Sequence, residues 1–179
     1  MSAAVPAPST ADVSTSATRI SLRIAAAVWV AVAGLGIVGS ALTTVQDFLT
    51  GIYSEFSSTD YVDWFAPQLI ALVAYVLAWA LPVAAGVFVS LRFVAPVVAS
   101  APVGGVLARG VVATVLGAAF GVILTLPLSI ILSVASGDPT GGGLLGALAE
   151  MARRSVEVAP VVELIVLLGW LWLRRTPAV

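Results

Sequence analysis

Three long stretches of this sequence contain no charged residue, and they limit what the chain can fold into more than any other feature. They are residues 24–46, 64–91 and 110–137, which are 23, 28 and 28 residues long. A helix crosses the hydrocarbon core of a bilayer with about 20 residues, and an unpaired charge there costs about 2.5 to 3.5 kcal/mol on insertion scales. Because backbone groups in lipid must be hydrogen-bonded within the segment, we predict that each stretch forms a transmembrane helix.

The composition narrows the classes of function. Hydrophobic residues make up 60% of the chain and charged residues 9%, against about 25% charged residues in soluble domains. Cysteine and histidine are absent, which removes thiolate nucleophiles, histidine bases and the usual zinc and haem ligands. We therefore expect no catalytic residue, no cofactor, no metal site and no enzymatic activity. The net charge of −1, with eight arginines spread along the chain, predicts no nucleic-acid surface.

The predicted architecture is an all-α, four-helix transmembrane bundle in a single domain over residues 19–175. Its spans are expected at about residues 24–45, 66–91, 110–134 and 158–173, between a disordered tail of residues 1–18 and a short tail of residues 176–179. The fourth span is the shortest: it has 16 residues, which make only about 24 Å of helix. Trp170, Trp172 and the arginine pair at residues 174–175 nevertheless mark an interface at its end. For the first span the alternative is a cleaved signal peptide, although its apolar run is longer than a signal core.

Two amphipathic segments are expected to form interfacial helices on the outer face of the bundle. In the loop after the first span, Phe48, Ile52 and Phe56 recur every four residues and would share one apolar face. In residues 144–157, apolar side chains lie on one side of the predicted helix and charged side chains on the other. Both segments precede a returning span.

The arginines predict the orientation. With the N-terminus inside, six arginines are cytoplasmic and only Arg153 and Arg154 are outside, as the positive-inside rule requires. We therefore expect a multi-pass protein of the plasma membrane with both termini in the cytoplasm. The use of arginine for every basic residue, with abundant alanine, valine and glycine, is typical of bacteria with GC-rich genomes.

Small residues recur every four positions in the second and third spans. In the third span they are Ala113, Gly117, Gly121, Thr125, Ser129 and Ser133, and in the second span Ala74, Ala78, Pro82, Gly86 and Ser90. Small residues let helix backbones approach closely, and hydroxyl groups hydrogen-bond across helices. We predict that these stripes pack the two spans together as a hairpin; the alternative is a docking face for another copy or another protein. The GxGxxG sequence of residues 34–39 lies in an apolar helix, so we interpret it as a packing element rather than a dinucleotide site.

Glu163 is the only acidic residue inside a predicted span, and intramembrane acids are functional candidates. If Pro160 begins the helix, the carboxylate lies in the first turn near the outer interface, where the helix dipole favours it. Arg153 or Arg154 would then be available to pair with it. Structural anchoring is the favoured interpretation, and a proton or cation site and a contact with a partner are the alternatives.

Two functional classes fit these features. The favoured class is a non-catalytic accessory or scaffold protein that acts through helix–helix contacts, with the lipid bilayer and a membrane protein or a second copy as partners. The alternative is a small oligomeric transporter or channel with Glu163 as its ion or proton site and helix breaks at Pro82 and Pro127. We interpret Asp60 and Asp63 as part of a solvated acidic loop. The alternatives are a glycosidase-like pair of carboxylates and a site for a divalent cation.

Overall fold

The computed structural model of the chain describes residues 10–49, 58–135 and 143–175, and every regular element among them is helical. The elements are α1 (Thr10–Leu49), α2 (Ser58–Tyr75), a first π-helical turn (Val76–Ala80), α3 (Leu81–Val89), a second π-helical turn (Ser90–Val94), α4 (Val103–Ala135) and α5 (Gly143–Arg175). Four segments are long and apolar enough to cross a membrane: Ala17–Gln46, Gln68–Val94, Val103–Pro127 and Ala152–Arg175. The prediction of an all-α bundle with four transmembrane helices is confirmed.

The second span runs from α2 through α3 without a break and contains both π-helical turns. Pro82 lies in the first turn of α3 and has no N–H group with which to continue the α-helical hydrogen bonding. Just before it, the N–H of Leu81 donates to the carbonyl of Val76, five residues back. A second hydrogen bond between residues five apart ends the span: the N–H of Ala95 donates to the carbonyl oxygen of Ser90, with 2.8 Å between nitrogen and oxygen. The helix is therefore wider at two points, as π-helical turns require.

Two segments differ from the sequence prediction. Helix α1 begins at Thr10, inside the segment 1–18 that we expected to be a disordered tail, because extending an existing helix costs little once its apolar part has formed. Helix α5 runs unbroken from Gly143 to Arg175 with Pro160 inside it, so residues 144–157 form its first half rather than a separate interfacial helix. A proline removes only one hydrogen bond, which transmembrane helices tolerate. The other interfacial segment lies largely in residues 50–57, outside the described residues, as do residues 1–9 and 176–179.

The four spans form a closed ring in chain order. Helix α1 packs against α3 and α5, and α4 packs against the same two helices. In the described residues, no Cα atoms of α1 and α4 approach within 8 Å, and the same holds for α5 and the second span. These pairs therefore lie across the diagonals of the ring. The guanidinium of Arg23 lies over the ring of Trp172, 5.4 Å from its centroid, which places the start of the first span beside the end of the fourth.

The interior of the ring is filled with apolar side chains. The largest fully buried ones are Val28, Val32, Trp79, Val83, Val87, Leu91, Val106, Val162 and Val166. They come from all four spans and are part of one contiguous cluster. Because lipid removes most of the hydrophobic drive between helices, close packing of such side chains is what holds the spans together.

Candidate functional site

The contact between α3 and α4 brings two of the predicted packing glycines together. A Cβ atom on Gly86 would lie 2.6 Å from the carbonyl oxygen of Leu116 and 2.7 Å from the Cα of Gly117. A Cβ on Gly117 would in turn lie 3.0 Å from the carbonyl oxygen of Val83. The two backbones touch here, and any side chain larger than hydrogen would separate them.

The first part of the second-span stripe does not lie in the core as the later part does. Ala74 is exposed and Ala78 half-buried, whereas Pro82, Gly86 and Ser90 are buried. The first π-helical turn, Val76–Ala80, contains Ala78, and its larger number of residues per turn changes the helical register. A residue outside the stripe, Trp79, instead packs on α4.

The third-span stripe lies mostly inside the bundle. Ala113, Gly117 and Gly121 are buried, and a Cβ on Gly121 would lie 2.8 Å from the ring of Trp79. The hydroxyl of Thr125 donates a hydrogen bond of 2.6 Å to the carbonyl oxygen of Gly121 within the same helix. The side chain of Ser129 lies outside the described part of the structure.

A cleft of about 650 Å³ opens between α1, α2 and α5 at the end of the bundle away from Arg23 and Trp172. The cleft is lined by Leu35, Gly36, Gly39, Ser40, Thr43, Gln68, Ala71, Leu72, Tyr75, Arg153, Arg154, Glu157 and Val158. Helices α2 and α5 face each other across a diagonal of the ring, which leaves a gap between their backbones. Only long side chains bridge that gap.

Charged side chains of α5 meet an aromatic ring in the cleft. The guanidinium of Arg154 lies over the ring of Tyr75, 5.5 Å from its centroid. Arg153 forms an ion pair with Glu157 one turn further along α5, and both side chains are more than half exposed, at 60% and 55%. An exposed pair of this kind contributes little to stability. Arg153, Arg154 and Glu157 all line the cleft, and the guanidinium groups suit an anionic group because guanidinium binds carboxylate and phosphate with paired donors.

The cleft was not predicted, although the sequence contains a weak signal for it. Gln68 and Tyr75 are seven residues apart and Gly36 and Ser40 four apart, so each pair lies on one helical face. We expected Gly36 to pack against a helix, and a Cβ there would overlap the ring of Tyr75. Gly39, by contrast, has nothing within 4 Å of the position of a Cβ.

Glu163 lies in the middle of the fourth span. Because α5 does not begin at Pro160, the expected position near the outer interface is wrong. Nine residues, about 14 Å of helix, separate Glu163 from Arg154 on one side and from Trp172 on the other. The side chain is half-buried and packs on α4, with its Cγ 3.3 Å from where a Cβ of Gly110 would stand.

A second ionisable group lies next to this contact. Arg109 directly precedes Gly110 in α4, and its Nη1 atom is buried with no hydrogen-bond partner in the described part of the chain. Glu163 also has no ion-pair partner among the described residues. Glu163 thus packs on α4 at Gly110, and Arg109 is the adjacent residue of α4 inside the same span.

No group of three or more acidic, cysteine or histidine residues gathers in residues 10–49, 58–135 and 143–175 in a way that would hold a metal ion. The side chains of Asp60 and Asp63 lie outside the described part. Comparisons with protein-family models, with curated proteins and with solved structures find no match.

Proposed function

We propose that this chain is a non-catalytic accessory or scaffold protein of the membrane that binds a transmembrane helix of a partner protein in the cleft. The observation that carries this proposal is the cleft between α1, α2 and α5. It is open to the surroundings of the bundle, since Leu35 is 50% exposed and Gly39 and Ala71 are exposed as well. The described interior of the ring is filled with side chains, so a ligand has room at the side of the bundle and not along its axis.

The residues of the cleft define the chemistry of the partner. Gly39, Ser40 and Ala71 are small and line one side, which allows a helix backbone to approach closely. The guanidinium of Arg154 in the lining favours a partner helix with an acidic residue at the same depth. Such a pair would be stronger in the bilayer than in water because the local dielectric constant is lower.

The orientation is part of the same proposal. Five of the eight arginines lie at the end of the bundle that holds Arg23 and Trp172, and Arg109 lies in the half of the third span nearer to that end. By the positive-inside rule this end faces the cytoplasm and both termini are cytoplasmic. The cleft then opens at the outer leaflet of the plasma membrane.

Site-specific photo-crosslinking tests the proposal in intact cells. A photoreactive amino acid at Ala71 is expected to give one adduct of defined mass, and the same group at Val115, which is 61% exposed on α4, is expected to give none. The crosslinked protein should co-purify in mild detergent at a fixed stoichiometry, and Arg154→Gln should reduce the amount that co-purifies. Adducts of equal yield from both positions, or an adduct only with a second copy of the chain, would contradict the proposal.

A second candidate function rests on Glu163 of α5, which contacts α4 beside Arg109. The contact of Glu163 with Gly110 and the partnerless Nη1 of Arg109 fit a proton or ion site of an oligomeric transporter. Intramembrane acids of this kind mark ion and proton pathways. Proteoliposome flux measurements test it: Glu163→Gln abolishes flux if the carboxylate carries the ion, and Glu157→Gln serves as the control. Equal flux in the wild type, in Glu163→Gln and in empty liposomes rejects this candidate.

A further inference from the structure

A groove between α1 and α5 lies at the opposite end of the bundle from the cleft and plays no part in the proposed function. It has a volume of about 390 Å³ and is lined by Ile20, Arg23, Ile24, Ala27, Ile165, Leu168, Gly169 and Trp172. Arg23 is the only charged residue in this lining. The other lining residues are apolar, apart from the indole N–H of Trp172.

The length of the groove suits part of an acyl chain. It extends over eight residues of each helix, or about 10 Å along the bilayer normal. One leaflet of the hydrocarbon core is about 15 Å deep, and a transmembrane helix needs about 20 residues to cross both leaflets. The groove is therefore deep enough for part of an acyl chain.

The groove is narrow because α1 and α5 are in direct contact along it. A Cβ on Gly169 would lie 2.7 Å from the side chain of Ile24. At its open end the guanidinium of Arg23 lies over the indole of Trp172. A tryptophan ring beside an arginine at the end of an apolar stretch is the usual arrangement at the depth of lipid headgroups.

The charges beside the groove in residues 17–30 and 164–175 have one sign. Arg19 lies one turn before Arg23, and Arg174 and Arg175 follow Trp172, while residues 17–30 and 164–175 contain no acidic residue. A cluster of arginines next to a span attracts anionic lipids, with about 1 kcal/mol for each basic residue near the surface. A neutral or cationic lipid would gain nothing from it.

We propose that the groove binds one acyl chain of an anionic phospholipid, with the lipid phosphate on the guanidinium of Arg23. The apolar walls from α1 and α5 contact the chain, and the Trp172 ring orients Arg23 toward the headgroup. The phospholipid belongs to the leaflet on the side of Arg23. In the proposed orientation this is the cytoplasmic leaflet, where anionic lipids attract basic segments.

Lipid titration of the purified full-length chain in detergent tests this site, with bound lipid counted by native mass spectrometry. Dioleoyl phosphatidylglycerol is expected to bind more tightly than dioleoyl phosphatidylcholine. Arg23→Gln should weaken phosphatidylglycerol binding about fivefold, and Arg175→Gln, which removes the same charge outside the groove lining, should weaken it clearly less. Ala27→Phe should fill the groove and weaken the binding of both lipids about tenfold, because about two methylene groups of the acyl chain are no longer buried. Leu168→Phe is a second filling variant in case Ala27→Phe does not fold.

Three results would overturn the proposal. Equal losses in Arg23→Gln and Arg175→Gln would show general electrostatic attraction without a site. Unchanged binding in a correctly folded filling variant would show that no chain enters the groove. Displacement of the lipid by millimolar inorganic phosphate would show a site for free anions, and not for a phospholipid.

Discussion

The guanidinium of Arg154 in α5 lies over the ring of Tyr75 in α2, 5.5 Å from its centroid, and joins two helices whose backbones are not in contact. The width of the cleft at this point is set by these two side chains. A cation above an aromatic ring contributes about 0.5 to 1 kcal/mol at an exposed site and about 2 kcal/mol when it is desolvated. The contact is therefore strong enough to shape the cleft and weak enough for a partner to replace it.

Replacing the aromatic ring should open the cleft. Tyr75→Leu is expected to lower the unfolding free energy by about 0.5 to 2 kcal/mol, because it removes the ring below Arg154. Tyr75→Phe keeps the ring and serves as the matched control, with an expected change close to zero. Unfolding in mixed detergent micelles measures both. Equal losses in the two variants would show that the hydroxyl group, and not the ring, is the stabilising element.

The backbone contact of Gly86 with Gly117 should not tolerate a methyl group. Gly86→Ala places a Cβ 2.6 Å from a backbone oxygen of α4, which cannot move as the end of a side chain can. We expect a loss of about 1 to 3 kcal/mol from overpacking. Gly39→Ala, at a position with open space around it, should change stability by less than about 1 kcal/mol. Thermal unfolding in detergent would contradict the structure if the two variants lost the same amount.

Neutralising Glu163 should stabilise the bundle. The carboxylate lies mid-span without an ion-pair partner among the described residues, and a charge at that depth is costly. Glu163→Gln has nearly the same shape without the charge, so its unfolding midpoint should rise above that of the wild type. Glu157→Gln, which breaks an exposed ion pair, should change the midpoint little. A clear fall in the midpoint for Glu163→Gln would show that the carboxylate makes a stabilising contact in the folded state.

The proposed orientation predicts the outcome of reporter fusions. A reporter that is active only in the cytoplasm should be active when inserted at Ser100, in the connection between the second and third spans, and when fused after Val179. It should be inactive at Asp138, between the third and fourth spans. The reverse pattern would place the arginine-rich end outside and the cleft in the inner leaflet.

The number of spans was predictable from the sequence because charges are expensive in lipid, but their bounds were not. Arg109 was expected to end the connection before the third span, yet it lies inside the segment Val103–Pro127. The Nη1 atom of Arg109 is buried, so a charge does not always mark the boundary of a span. Similarly, the predicted fourth span began directly after the charged residue Glu157 and had only 16 residues, whereas the apolar segment begins at Ala152.

The candidate site was predictable only where a local pattern decides the contact. The glycines of the third span indicated a close approach, and Gly117 does touch α3. The role of Trp79 depended on a π-helical turn, which no spacing rule in the sequence indicated. The cleft was not predicted, because the face shared by Gln68 and Tyr75 and that shared by Gly36 and Ser40 do not indicate how three helices distant in sequence are placed.

Helix α5 contacts both α1 and α4 and so closes the ring, and this has a consequence for the order of assembly. The cleft and the groove each take one wall from α1 and another from α5. Segments of a membrane protein enter the bilayer largely in chain order and pack afterwards. Neither surface therefore exists until α5 has been inserted and docked, and a partner that recognises the cleft would select completed bundles over unfinished chains.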